Sequence, residues 1–352
     1  MKSFKIKTKA GFLGVGNDYP IRVNCNVGTN TTNAFVDEIK KINAIFQSKE
    51  TTPDMMMDLS ITQNNDKVSK YIIDNYNIAV GTIPYYTVYN KINGISKSQL
   101  LESIIDLAEI GISFLTLHFT ANLPLYELAL KNREIPTTSR GGSLILSDCL
   151  INKRDENILL ESIDDIIAIA LKYSIAISLG TTFRPAGIND ACDTVHILET
   201  EEQLELCKYL QSKGVNVIVE NIGHIDLLQL KRHAELLKKF EAPIMPLGPL
   251  PTDNAIGNDD IASAIGASFA AYYGCCHIIN SVTPNEHSTS SFTTQDIIKG
   301  IEAAKIAAHC VNILKFRECR EVDENIYKAR ANTKSCLENC NRCDEFCPLK
   351  LK

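Results

Sequence analysis

Short runs rich in Val and Ile alternate with amphipathic helical stretches along most of the chain, and this alternation restricts the fold more than any other feature. The runs fall at 21–27, 55–60, 78–82, 114–118, 135–139, 175–180, 215–221 and 243–247, with a ninth candidate at 277–282. Between them apolar residues recur at helical spacing: Leu101, Ile104, Ile105, Leu107 and Ile110 share one face of 100–110. Segments 158–173, 201–213, 227–240 and 294–314 show the same period. Strands of this composition that alternate with helices pair in parallel, because each crossover helix covers the sheet. Eight or so such units over roughly 290 residues predict an α/β fold of the (β/α)8 TIM-barrel type, not an open doubly wound sheet. The glycines of 11–16 precede the first strand and open no helix, so that segment reads as a loop and not as a dinucleotide-binding turn.

The alternation stops near Phe316. Segment 317–325 is charged and poor in core residues, with helical character returning at 326–330. The chain then ends in a cysteine-rich tail. Cys336, Cys340, Cys343 and Cys347 place four thiols within twelve residues, spaced by polar side chains that no hydrophobic core would use. Cys336, Cys340 and Cys343 form a C-x3-C-x2-C run that leaves one iron of a cluster without a protein ligand. The overlapping triplet Cys340, Cys343 and Cys347, followed by Pro348, has a ferredoxin-like ending. An iron–sulfur cluster, a structural zinc site and disulfides all remain open on spacing alone, although the absence of histidine disfavours the mixed zinc patterns. Three regions follow: an N-terminal segment 1–20, a barrel 21–316 and a helical linker with a cluster-binding arm 317–352.

With 45% apolar and 22% charged residues the chain can bury a large core. A net charge of −6 with no local Lys/Arg block argues against a nucleic-acid surface. No apolar run reaches the roughly 20 residues of a membrane helix, and nothing behind Met1 resembles a signal peptide. The twelve cysteines then point to the reducing cytoplasm. Cys25, Cys149, Cys192, Cys207, Cys275, Cys276, Cys310 and Cys319 read mostly as small buried hydrophobes.

Side chains at the C-terminal ends of barrel strands surround the ligand. Here those ends are polar in turn: Asn24 and Asn26, Asp58, Tyr85 and Tyr86, His118, Ser139-Arg140-Gly141-Gly142, Arg184, and Glu220 followed by His224. The arginine and backbone N–H groups of 139–142 suit a phosphate. His224 and His287 follow late strands, where neighbouring loops could bring two imidazoles onto a zinc or similar divalent ion. Asp253 reads equally as a loop cap or a site carboxylate. His196, His233, His277 and His309 lie on helical or buried stretches and read as structural.

These residues fall into a pattern that resembles the phosphomethylpyrimidine synthases, radical S-adenosylmethionine enzymes of thiamine biosynthesis built on a (β/α)8 barrel. The matching stretches run in order from about residue 20: Arg22–Thr29, Met57–Ser60, Gly81–Tyr86, Ser139–Gly142, Ser178–Gly180 with Arg184-Pro185, Glu220 with Gly223-His224, Leu247–Asp253, Ser263–Ala267, Tyr273-Gly274, Val282–His287 and Lys305–His309. The resemblance implies substrate contacts from Asn26, Met57, Tyr86, His118, Ser139, Arg140, Gly141, Arg184 and Glu220, and a divalent metal, zinc by preference, on His224 and His287. It implies a 4Fe–4S cluster on Cys340, Cys343 and Cys347, with Cys336 as the alternative third ligand. That cluster would chelate S-adenosylmethionine, and an external donor such as flavodoxin or ferredoxin would reduce it. The implied reaction is a carbon–carbon lyase-type rearrangement of aminoimidazole ribonucleotide into hydroxymethylpyrimidine phosphate, in homodimers whose cysteine arm covers the partner's barrel.

The chain also departs from that pattern. Thr181 and Thr182 stand where the family has aspartate and glycine, Asn221-Ile222 where it has glycine and proline, and Met245 where it has tyrosine. One residue is missing between Cys343 and Cys347. Loss of a carboxylate and a hydroxyl from a polar pocket predicts altered pairing with the non-phosphate end of the substrate. A paralogue making another product, such as hydroxybenzimidazole for cobamide lower ligands, is one alternative. An inactive nucleotide- or metal-binding barrel is the other.

Overall fold

The computed structural model describes residues 3–31, 34–61, 67–289, 291–336, 340 and 342–350. The chain divides into two units, Met1–Ala308 and His309–Lys352. The first begins with an antiparallel hairpin, β1 (Phe4–Thr8) and β2 (Gly11–Val15). Segment 11–16 is therefore mostly strand, not the loop its glycines suggest. Phe4-Lys-Ile-Lys-Thr8 alternates with a period of two and supplies the partner, so that Ile6 and Val15 are both buried.

Eight parallel strands follow: β3 (Arg22–Val27), β4 (Met55–Asp58), β5 (Ala79–Thr82), β6 (Phe114–Leu117), β7 (Ala176–Leu179), β8 (Val217–His224), β9 (Ile244–Leu250) and β10 (Ile278–Asn280). Their order, β10-β3-β4-β5-β6-β7-β8-β9, is that of a barrel cut between its last two strands. His277 joins that cut. Its N–H donates to the Ile244 carbonyl at 2.9 Å, its Nδ1 accepts the Ile244 N–H at 3.1 Å, and its carbonyl accepts the Arg22 N–H at 3.0 Å. One residue thus ties β9 to β3, across the position of β10. Met55, Val80, Phe114, Ile177 and Ile218 along the strands are fully buried, each stabilising the fold by roughly 2 kcal/mol.

Helices α1 (Phe35–Ile45), α2 (Val68–Asn75), α3 (Lys97–Glu109), α4 (Leu123–Asn132), α5 (Arg140–Asn152), α6 (Ile158–Glu161), α7 (Ile163–Tyr173), α8 (Thr194–Ser212), α9 (Leu227–Leu237) and α10 (Asp259–Tyr272) alternate with the strands. Two expectations shift, one of a helix and one of a strand. Segment 158–173 is two helices, because the chain leaves helical geometry at Ser162. Segment 135–139 is not a strand but the approach to α5. Pro136 has no N–H to give a ladder and Ile135 is exposed, so the run cannot serve as a central barrel strand. The barrel reaches eight strands because 277–282 contributes β10 instead.

The second unit begins inside α11 (Thr294–Lys315) and continues through α12 (Arg317–Thr333), which buries no residue and carries the pairs Arg317–Glu321 and Arg317–Glu324. No helix among the described residues is long and apolar enough to cross a membrane.

Candidate active site at the barrel mouth

His118 leaves β6 into a slot that admits nothing larger. A Cβ on Gly141 or Gly180 would sit 2.4 or 2.7 Å from the ring, so glycine at both positions is a steric requirement. The two ring nitrogens are both engaged, Nδ1 with the Tyr85 hydroxyl at 2.6 Å and Nε2 with Ser139 Oγ at 2.8 Å. Burial lowers its pKa to about 3, which keeps the imidazole neutral at neutral pH. Ser139 also accepts the Gly142 N–H at 3.0 Å and so caps α5. The expected phosphate loop is therefore the first turn of a 13-residue helix, whose N-terminal end favours an anion.

The other mouth residues converge on the same end. The Arg140 guanidinium lies 5.8 Å from the centroid of the Tyr86 ring. Burial pushes the Tyr86 phenol up to about 12 against the pull of Arg140 and Arg184, so it stays protonated. Glu220 Oε1 accepts from Thr116 at 2.7 Å and Ser178 at 3.0 Å, and burial raises its pKa. Arg184 donates to the carbonyls of Thr181 and Thr138, both at 3.4 Å. Asn26 and Met57 are register partners on β3 and β4, and the Asn26 side-chain oxygen accepts from Asn24 at 3.0 Å.

His224 and His287 meet as expected from their loops, with ring centroids 5.1 Å apart. Each uses Nδ1 on a carboxylate: His224 on Asp253 at 2.7 Å, His287 on Asp259 at 3.2 Å. Asp253 is more than a simple loop cap: it holds His224, and its other oxygen accepts the Ile188 N–H at 3.0 Å. Carboxylates on Nδ1 direct Nε2 as the ligating nitrogen, the arrangement of metal-binding histidines. Burial lowers the His224 pKa, and Asp253 opposes that shift. The donor set fits a divalent ion that keeps open positions.

Of the departures at 181 and 182, Thr181 turns away from this mouth, whereas the Thr182 side chain packs against Gly142 in the first turn of α5 with its hydroxyl buried and unpartnered. Both threonines are fully buried, and the Thr181 hydroxyl donates to Glu199 at 2.7 Å. Glu199 also accepts from Thr120 and from the backbone N–H groups of Thr182 and Phe183. Thr181 therefore satisfies a buried carboxylate from α8 and has no reach toward a substrate. Met245 is buried beside Glu220, its register partner. Glu199 and Asp259 carried no signal in the sequence, whereas Tyr85 lay in the polar 81–86 stretch already placed at the mouth.

Cys336, Cys340 and Cys343 are exposed, Cys347 is half-buried, and all carry free thiols. A short 3-10 turn at Asp344–Phe346 separates Cys343 from Cys347. Arg330 donates to the Cys336 sulfur at 3.9 Å. Free, accessible thiols on a polar segment suit an iron–sulfur cluster by the softness of their donors.

The Radical SAM ThiC family model matches residues 2–343. A phosphomethylpyrimidine synthase of Carboxydothermus hydrogenoformans is 33% identical over 96% of this chain and 86% of its own length. That of Caldanaerobacter subterraneus is 32% identical over 96% and 85%. Among solved structures, the Xanthomonas albilineans dihydropteroate synthase with 4-aminobenzoic acid superposes with a TM-score of 0.50 at 9% identity, covering 90% of this chain and 99% of that one. The last likeness concerns the barrel fold alone.

Proposed function

The chain belongs to the Radical SAM ThiC family, and from that premise we propose that it rearranges aminoimidazole ribonucleotide to hydroxymethylpyrimidine phosphate, a lyase-type step of thiamine biosynthesis. Membership implies an iron–sulfur cluster and S-adenosylmethionine. Cys340, Cys343 and Cys347 would hold the cluster as 4Fe–4S, with Cys336 as the alternative ligand. Once bound and reduced by an external donor such as flavodoxin or ferredoxin, cluster and S-adenosylmethionine supply the one-electron chemistry.

The chain's own residues bind and orient. Arg140, with the Gly141 end of α5, takes the phosphate, and Ser139 fixes that end by capping it. Glu220, steadied by Thr116 and Ser178, accepts from a substrate N–H or O–H. Arg184, Tyr86, Asn26 and Met57 close the remaining walls. Neutral His118 holds or passes a proton between Tyr85 and Ser139. His224 and His287 hold a divalent ion, zinc by preference. The reading is completed by a cytoplasmic homodimer.

One observation carries the substrate assignment. The polar mouth is retained while Thr181, the departure that first suggested another substrate, faces Glu199. Anaerobic turnover of labelled aminoimidazole ribonucleotide, with product identification, is the test. Hydroxymethylpyrimidine phosphate is expected; hydroxybenzimidazole or an unchanged substrate would overturn the assignment.

A further inference from the structure

Behind the mouth, on the outer side of β8, lies a second nitrogen and sulfur cluster. Strand alternation sends Glu220 inward and Asn221 outward, where it meets α8 and α9. The Asn221 amide donates to Thr200 Oγ1 at 3.1 Å and Gln203 Oε1 at 2.8 Å. That fixes its carbonyl oxygen toward His196 Nε2 at 3.3 Å and His233 Nε2 at 2.9 Å. An acceptor shared by both rings sets both as Nε2–H tautomers and leaves both Nδ1 lone pairs directed elsewhere. His196 Nδ1 receives the Cys192 N–H at 3.1 Å. His233 Nδ1 has no partner, although the residue is 2% exposed. The rings stand 4.2 Å apart, centroid to centroid.

The Cys192 thiol completes the group. Its Sγ and one ring nitrogen from each histidine lie within 4.8 Å of one another. Four-coordinate zinc holds such atoms roughly 3.3–3.8 Å apart, so binding needs a contraction of about 1 Å. The Gln229 carbonyl accepts from Cys192 Sγ at 3.9 Å, and the Gln229 side chain, with Nε2 on Ala191 at 3.2 Å, leaves its Oε1 buried without a partner.

We propose that Cys192, His196 and His233 form a second metal site, separate from the barrel mouth, for a borderline-soft divalent ion of the zinc class. A thiolate with two imidazoles selects such an ion over magnesium or calcium. Binding breaks the hydrogen bonds from the Cys192 N–H to His196 Nδ1 and from the Cys192 thiol to the Gln229 carbonyl, forms one metal–sulfur and two metal–nitrogen bonds, and releases the thiol proton to the buffer. The ion ties the start of α8 and the middle of α9 to the strand that carries Glu220 and His224. Asn221 orients both ligands.

The test is peptide-resolved alkylation of the full chain, purified without oxygen, with and without zinc chloride. Zinc should slow modification of half-buried Cys192 at least ten-fold and leave exposed Cys310 unchanged. His233→Gln should abolish that protection; His196→Gln serves if the first variant does not fold. Equal Cys192 rates with and without zinc in the unaltered chain would overturn the proposal. So would protection that survives loss of the His233 ligand.

Discussion

The two histidine pairs flanking β8 have similar spacing and opposite surroundings. His224 and His287 are partly open to solvent, and each hands Nδ1 to its own carboxylate. His196 and His233 are buried, and both hand Nε2 to one amide oxygen. The group on the second nitrogen decides which lone pair is presented, and its charge decides how basic that lone pair is. Carboxylate support with open positions suits an ion that must also bind substrate. Amide support in a closed pocket suits an ion that holds helices to a strand.

The largest separation between the pairs should appear in turnover. His224→Ala or His287→Ala should each lose one bound ion at the mouth and sharply lower kcat, with a near wild-type melting curve. Retained metal content in both variants would remove the mouth site from the comparison. Cys192→Ala should do the reverse, keeping most turnover in the folded fraction and lowering the melting temperature in zinc-containing buffer.

The supporting groups come next. Asp253→Asn keeps the shape but removes the charge behind His224, and metal affinity at the mouth should weaken roughly 10–100-fold by competition with a chelating dye. Asn221→Leu should leave that affinity unchanged while abolishing zinc protection of Cys192. Equal effects of both variants on both sites would mean that β8 transmits any change indiscriminately.

The smallest effect concerns a third imidazole. His118 is as buried as His233 but has a partner on each nitrogen. Its folded pKa of about 3 lies below the unfolded value of about 6.5. Its contribution to stability is therefore fully present above the higher value and declines as pH falls toward the lower. At about pH 5.5 the loss should be roughly 1.4 kcal/mol. Urea denaturation of the parent and His118→Gln at pH 7 and 5.5 measures it; an equally steep decline in the variant would assign the acid sensitivity elsewhere.

Strands such as Phe114–Leu117 were legible because burial on every side leaves a continuous apolar run. Segment 135–139 imitated one through Ile135 and its two threonines, and only Pro136 contradicted it. His224 and His287 were legible because each follows a strand, where barrels place ligands. Cys192, His196 and His233 were not. Their convergence depends on Asn221 pointing outward between α8 and α9, which no linear spacing encodes. Thr181 misled for the same reason: its type was visible, but its direction toward Glu199 was not.

His277 has a consequence for how the molecule is made. Seven strands can join their neighbours in the order they emerge from the ribosome, β3 with β4 and onward to β9. The free side of β3 must wait until His277 and β10 have been synthesised, since they bind Arg22 and its neighbours. The earliest barrel strand to leave the exit tunnel is therefore the last to be flanked on both sides. His287 follows β10, so the mouth acquires its second imidazole only once the ring can close. A nascent chain halted before that point holds His224 alone.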